Sequence, residues 1–190
     1  MTSTDTQIKL SLVEFLELPE TEPASEYING KVYHKPMPKG RHSTLQVRLS
    51  ASINQVYLPQ QIAHAFTELR CTFGGRSIVP DISVFEWSRL PFNDEGEIED
   101  SFEISPDWVI EILSPEQHDA RVIEKIIFCL NHGTKLGWLI DSKARLVIIF
   151  KPQQQPEVKQ DSDSLPILDV LADWQLSAAD LFGWLNVKRR

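Results

Sequence analysis

Two runs of β-forming residues each carry an acid where an apolar side chain would pack more easily. In Val79-Pro80-Asp81-Ile82-Ser83-Val84-Phe85 the acid is Asp81. In Trp108-Val109-Ile110-Glu111-Ile112-Leu113 it is Glu111, set between two isoleucines. A carboxylate in a buried apolar strand is costly unless it is paired or coordinates a metal. Two such acids, on strands able to lie side by side, suggest a hard divalent cation held by oxygens. Two blander readings stand beside this one. Asp81 could be a strand-start acid satisfied by backbone N–H groups. Glu111 could be a structural ion-pair partner of Lys125 or Arg121.

Other chemistries find less support. His34, His42, His64, His118 and His132 lack the paired spacing of a zinc site. There is no Gly-rich phosphate loop, and Ser83 and Ser114 lack the context of a nucleophile elbow. Cys71 and Cys129 have no metal-type spacing, and they read as buried free thiols of a reducing cytoplasm. The five tryptophans read as core and lid aromatics rather than as platforms for bases.

The chain has 190 residues, 42% of them apolar, which is enough for one domain with a sizeable core. Residues 1–10 read as a polar tail and 11–190 as that domain. No apolar run approaches the length of a membrane span, and Met1 to Lys9 lacks the apolar stretch of a signal peptide. The net charge of −8 argues against a simple polyanion binder. Its distribution complicates that. Lys31 through Thr67 contains no Asp or Glu and holds Lys31, Lys35, Lys39, Arg41 and Arg48. That stretch therefore carries +5, which leaves −13 for the rest. It reads either as a locally basic face or as an ordinary solvated one.

The acids need elements to position them. Ser11-Leu12-Val13-Glu14 predicts a short capped helix. Asn29-Gly30 predicts a tight hairpin turn between Glu26 and Tyr33. A helix is expected from Arg41 to about Tyr57, with Leu45, Leu49, Ile53 and Val56 as its buried stripe. Ile62–Phe73 and Ile78–Phe85 read as strands. Residues 90–105 read as a solvated loop holding Asp94, Glu95, Glu97, Glu99, Asp100 and Glu103. Asp107–Leu113 is the second acid-bearing strand. A helix follows from about Pro115 to Asn131, with Val122, Ile123, Ile126, Ile127 and Leu130 facing the core and Gly133 just past its end. Leu136–Asp141 and Arg145–Lys151 are two more strands, the second of them central or well covered. Pro152–Ser164 reads as a mobile loop. Ser177 caps a last helix, Ala178–Leu185. The pattern is an α/β or α+β domain with a mixed central sheet flanked by helices.

Glu26-Tyr27-Ile28-Asn29-Gly30, Arg41-His42-Ser43, Val79-Pro80-Asp81, Trp108 through Pro115 and Gly137-Trp138-Leu139-Ile140-Asp141 together resemble the Uma-two family of bacterial endonucleases. The resemblance covers about residues 12–186. The family is placed in the PD-(D/E)xK restriction-endonuclease-like superfamily. That placement implies a mixed sheet between helices and Mg²⁺- or Mn²⁺-dependent cleavage of DNA phosphodiesters, often by a homodimer. By the resemblance, Asp81 and Glu111 are metal ligands and Glu26 adds an outer contact. The superfamily's lysine two positions after the second acid is absent, since Leu113 stands there. Lys125, from the following helix, resembles a displaced equivalent that as a catalytic residue would orient or help deprotonate the attacking water or offset charge in the transition state, and Arg121 one turn earlier competes with it. Lys35, Lys39, Arg41 and His42 would contact phosphates. The missing lysine also leaves open a module of the same fold that binds nucleic acid with little or no catalysis.

Overall fold

The structure is a computed structural model, and it describes residues 10–114, 119–171 and 173–187. The order of elements follows the expected alternation. The short helix α1 (Leu12–Leu16) begins in a capping box made by Ser11 and Glu14. Strands β1 (Ser25–Ile28) and β2 (Lys31–His34) form the expected hairpin, with Asn29 and Gly30 both at positive φ. The long helix α2 spans Gly40–Tyr57. Strands β3 (Ala63–Thr67), β4 (Cys71–Phe73), β5 (Arg76–Ile78), β6 (Ile82–Glu86) and β7 (Trp108–Ile112) follow. Helix α3 (Asp119–Asn131) leads to β8 (Leu136–Asp141), β9 (Leu146–Phe150) and β10 (Glu157–Gln160). The chain then reaches α4 (Ala178–Gly183), which Ser177 caps together with Asp180.

The strands form two sheets. A six-stranded sheet has the order β10-β9-β8-β7-β6-β3, and a four-stranded sheet has the order β2-β1-β5-β4. In the large sheet only β7 and β8 pair in parallel, the other neighbours being antiparallel. Parallel neighbours need a crossover, and α3 supplies it. This is the mixed sheet flanked by helices that the sequence implies. No helix among the described residues is long and apolar enough to cross a membrane.

The large sheet buries both faces, so its parity sorts side chains between two cores. Trp108, Ile110 and Ile112 join Leu45, Leu49 and Ile53 of α2 on one face. Val109 joins Val122 and Ile126 of α3 on the other. Glu111 shares the parity of Val109 and so turns toward α3. Trp108 and Trp138 meet edge to face inside the first core, which removes both as base-stacking platforms.

Several expectations need correction. The run 62–73 is two strands, broken at Glu68, whose φ is +52°. The run 78–85 is divided between the two sheets, with Val79-Pro80-Asp81 as the crossing. Proline has no N–H for a ladder, so the chain changes sheets there. Residues 157–160 form an edge strand inside the expected loop 152–164. Its mostly exposed polar pattern hides it from hydrophobic periodicity. Strand β9 lies one place in from the edge, covered by that missed strand. In α2, Tyr57 is buried while Val56 is exposed, and in α3 Phe128 and Cys129 are buried while Ile127 is exposed. The last helix ends at Gly183. The expected helix start at 115–118 and the tail at 1–9 lie outside the described residues. Cys71 and Cys129 are free and buried, as read from the sequence.

Gly137 fixes how closely α3 approaches the sheet. A Cβ there would fall 2.4 Å from Ile126 Cγ2, one residue from Lys125. Overpacking of this kind costs about 1–3 kcal/mol. Gly137→Ala should therefore lower the melting temperature by several degrees (about 2–4 °C per kcal/mol), read by circular dichroism.

Candidate active site

Strand pairing brings the two acids together. Ile82 pairs with Ile110 across β6 and β7. One step further along that antiparallel register, Asp81 comes opposite Glu111. Both are buried, Asp81 at 1% exposure and Glu111 at 0%. Helix α3 adds Lys125, because positions 122, 125, 126 and 129 share its inward face. The hairpin adds Glu26 from β1, and α2 adds His42.

Asp81 is held on every side. Its Oδ1 accepts from Lys35 Nζ at 2.8 Å. Its Oδ2 accepts from the Ile112 N–H at 2.7 Å and lies 3.0 Å from His42 Nε2. Burial alone would raise its pKa. The Lys35 ammonium and the His42 hydrogen bond override burial and hold the carboxyl well below the usual carboxylate range. Asp81 is therefore an anion at neutral pH.

Glu111 is the opposite case. Neither carboxylate oxygen receives a hydrogen bond among the described residues. Its contact is an ion pair, Oε1 lying 3.0 Å from Lys125 Nζ. Burial pushes its pKa up to about 8, with Lys125 opposing the rise and Asp81 adding to it. Lys125 also lies 2.8 Å from Glu26 Oε1, and that oxygen accepts from the Val79 N–H at 2.8 Å. Burial would lower the Lys125 pKa, but Glu111 and Glu26 override it and raise the value well above normal.

The sequence-derived basic residues divide. Lys39 and Arg41 are exposed at the start of α2. Lys35 is not on the surface: its ammonium is engaged by Glu68 Oε2, the Val79 carbonyl and Asp81, each at 2.8 Å. Burial opposes its charge, yet Asp81 carries the net shift upward. Arg121 is exposed and lies over the Tyr33 ring at 4.1 Å, so Lys125 is the base that α3 sends to Glu111 and Glu26.

Two site residues escaped sequence reasoning. Gln46 donates to Glu68 Oε1 at 2.9 Å and to the Asp81 carbonyl at 2.8 Å. It stands four residues after His42 on the inward face of α2, a spacing visible in the sequence. Glu68 is the first acid after the acid-free stretch from Lys31, which was its available signal. Lys35, His42, Gln46, Glu68, Asp81 and Ser114 line a cavity of about 320 Å³ together with Pro23, Pro36, Met37 and Pro38.

Removing Lys125 would strand two buried carboxylates. Lys125→Met should cost about 3–5 kcal/mol, and replacing Lys125 and Glu111 together by leucine should recover part of that loss. Urea denaturation of the two variants checks both.

The Uma2 family profile, described as "putative restriction endonuclease", matches residues 12–179. A crystal structure described as a "putative nuclease belonging to DUF820" from Anabaena variabilis ATCC 29413 is similar throughout. It is 53% identical, with a TM-score of 0.90, over 92% of this chain and 98% of that one. No curated protein matches the chain. The profile spans the hairpin, α2, both acid-bearing strands and α3, and the chain belongs to the Uma2 family of restriction-endonuclease-like proteins.

Proposed function

We propose that this protein is a divalent-metal-dependent endonuclease that hydrolyses DNA phosphodiester bonds. The observation that carries this reading is Glu111, fully buried and beside Asp81, with one oxygen held only by the Lys125 ion pair and the other without a partner among the described residues. A buried carboxylate left in that condition suits a cation as its partner. No group of three His, Cys, Asp or Glu side chains among the described residues stands ready to enclose a metal. Mg²⁺ sites commonly use one or two carboxylates and complete themselves with water and substrate phosphate. Here Glu111 Oε2 is the unengaged oxygen, and Asp81 would have to exchange Lys35 or His42 for the ion.

Asp81 and Glu111 would hold Mg²⁺ or Mn²⁺, with Glu26 as an outer contact. When bound, such an ion lowers the pKa of a ligated water and polarises the phosphate. The chain's own residues do the rest. The hydrogen bonds from Ile112 N–H and His42 fix the orientation of the Asp81 carboxylate. Lys125 balances the charge of Glu26 and Glu111, which keeps both acids in place under the sheet. Exposed Lys39 and Arg41 would contact backbone phosphates outside the cavity.

A second reading is a nucleic-acid-binding module without catalysis. The full engagement of Asp81 by Lys35, His42 and Ile112 favours it. Incubation with varied DNA in Mg²⁺ or Mn²⁺ separates the two. The enzyme reading expects cleavage that Asp81→Asn abolishes in a protein that still folds. Cleavage unaffected by that change overturns the assignment. A salt-sensitive DNA shift with no cleavage supports the second reading. We also propose that the protein acts as a homodimer in the cytoplasm. Light scattering should give twice the chain mass, and a strict monomer at high concentration contradicts the dimer.

A further inference from the structure

We propose that Lys35, rather than Lys125, is the ammonium that meets the scissile phosphate, and that Lys125 is a positioning residue for the carboxylates. The proposal rests on the nuclease reading of the site.

The two lysines differ in what their charge can reach. The Lys125 side chain is 2% exposed, lies between Glu26 and Glu111, and is absent from the cavity wall. To touch a substrate it would have to leave two buried carboxylates behind, which is costly. Lys35 lies on the cavity wall with Asp81, His42 and Gln46. It follows β2 directly, and its backbone N–H is tied to the Ala24 carbonyl at 2.9 Å. The ammonium therefore starts from an anchored backbone.

Its three N–H donors are engaged by Glu68, the Val79 carbonyl and Asp81. Two of these acceptors belong to the chain crossing between the sheets and are buried. The third, the Glu68 side chain, is 41% exposed. Glu68 is the partner able to yield. A phosphate oxygen entering the cavity can replace its carboxylate, and Lys35 then exchanges one anionic acceptor for another without a buried donor going unmet. Glu68 is placed for this. Its φ of +52° is one that non-glycine residues seldom adopt, and Gln46 holds its other oxygen at 2.9 Å.

Hydrolysis forms a bond from the water oxygen to phosphorus and breaks the bond to the leaving ester oxygen. One water proton ends on that leaving oxygen. Lys35 stays protonated throughout. It donates a hydrogen bond to a non-bridging oxygen as negative charge builds there, the kind of preorganised donor whose loss costs about 100-fold or more in rate.

The test uses the full chain, a short fluorescein-labelled DNA duplex and its single strand. Cleavage is followed in Mn²⁺ and binding by anisotropy in Ca²⁺. Lys35→Arg keeps the charge and moves its donors. Compared at equal folded fraction, it should hold KM within about threefold and lose about 100-fold in kcat. Lys125→Arg should lower the melting temperature and reduce rate only in proportion to the folded fraction. Wild-type kcat in Lys35→Arg overturns the proposal. So does a loss of about 100-fold in a Lys125→Arg protein that melts as wild type. If wild type binds but cleaves neither DNA, the nuclease reading falls and binding alone judges Lys35. Glu68→Gln, an exposed change expected to fold, replaces the competing carboxylate by a neutral amide and should then tighten DNA binding severalfold. The same change made on Lys35→Met should not. Unchanged binding in Glu68→Gln overturns the proposal, and no DNA binding by wild type overturns both readings.

Discussion

Two carboxylates buried on adjacent strands set the terms for everything around them. Asp81 and Glu111 cannot both sit ionised in a dry interior without compensation, and an uncompensated buried charge is worth several kcal/mol of lost stability. The surrounding structure answers with cations and donors drawn from every layer. Lys35 comes from the segment after the hairpin, His42 from α2, the Ile112 N–H from the sheet itself and Lys125 from α3. These contacts link the small sheet, the large sheet and two helices. A site of this kind is also the part of the fold that packing alone would not choose.

The compensation is uneven, and that asymmetry points to chemistry. Asp81 receives direct hydrogen bonds and stays an anion, whereas Glu111 has only an ion pair and a raised pKa. Asp107 shows the contrast: its Oδ2 accepts from the Glu86 N–H and its Oδ1 pairs with Arg89 and Lys135, so both oxygens have a partner. Glu111 keeps unspent acceptor capacity at the side of a fixed anion. A divalent ion would use that capacity, because it favours the charged form that burial opposes.

The sequence reveals the acids because their surroundings do. Ile110 and Ile112 make Glu111 conspicuous, and Pro80 marks Asp81. Parity then assigns Glu111 to the α3 face, and helical spacing assigns Lys125 to the same place. What stayed hidden depends on pairings between distant segments. Lys35 reads as one more base in a basic stretch, and only the crossing at residues 79–81 shows that it is turned inward. Glu68 needs the strand break at +52°, which no periodicity announces. Strand β10 is polar and exposed, and it pairs only because β9 offers an open edge. The proposed metal and reaction class come from the family resemblance. The burial and contacts carry the proposed division of labour among the lysines.

Glu111 keeps one oxygen, Oε2, without a partner among the described residues, and a bound cation would complete it. Calorimetric titration of Mn²⁺ into wild type and into Glu111→Gln tests this most directly, with and without a short DNA duplex. The account predicts saturable uptake by wild type and its loss in the folded variant. Uptake that survives Glu111→Gln, or no uptake by wild type even with DNA present, would contradict it.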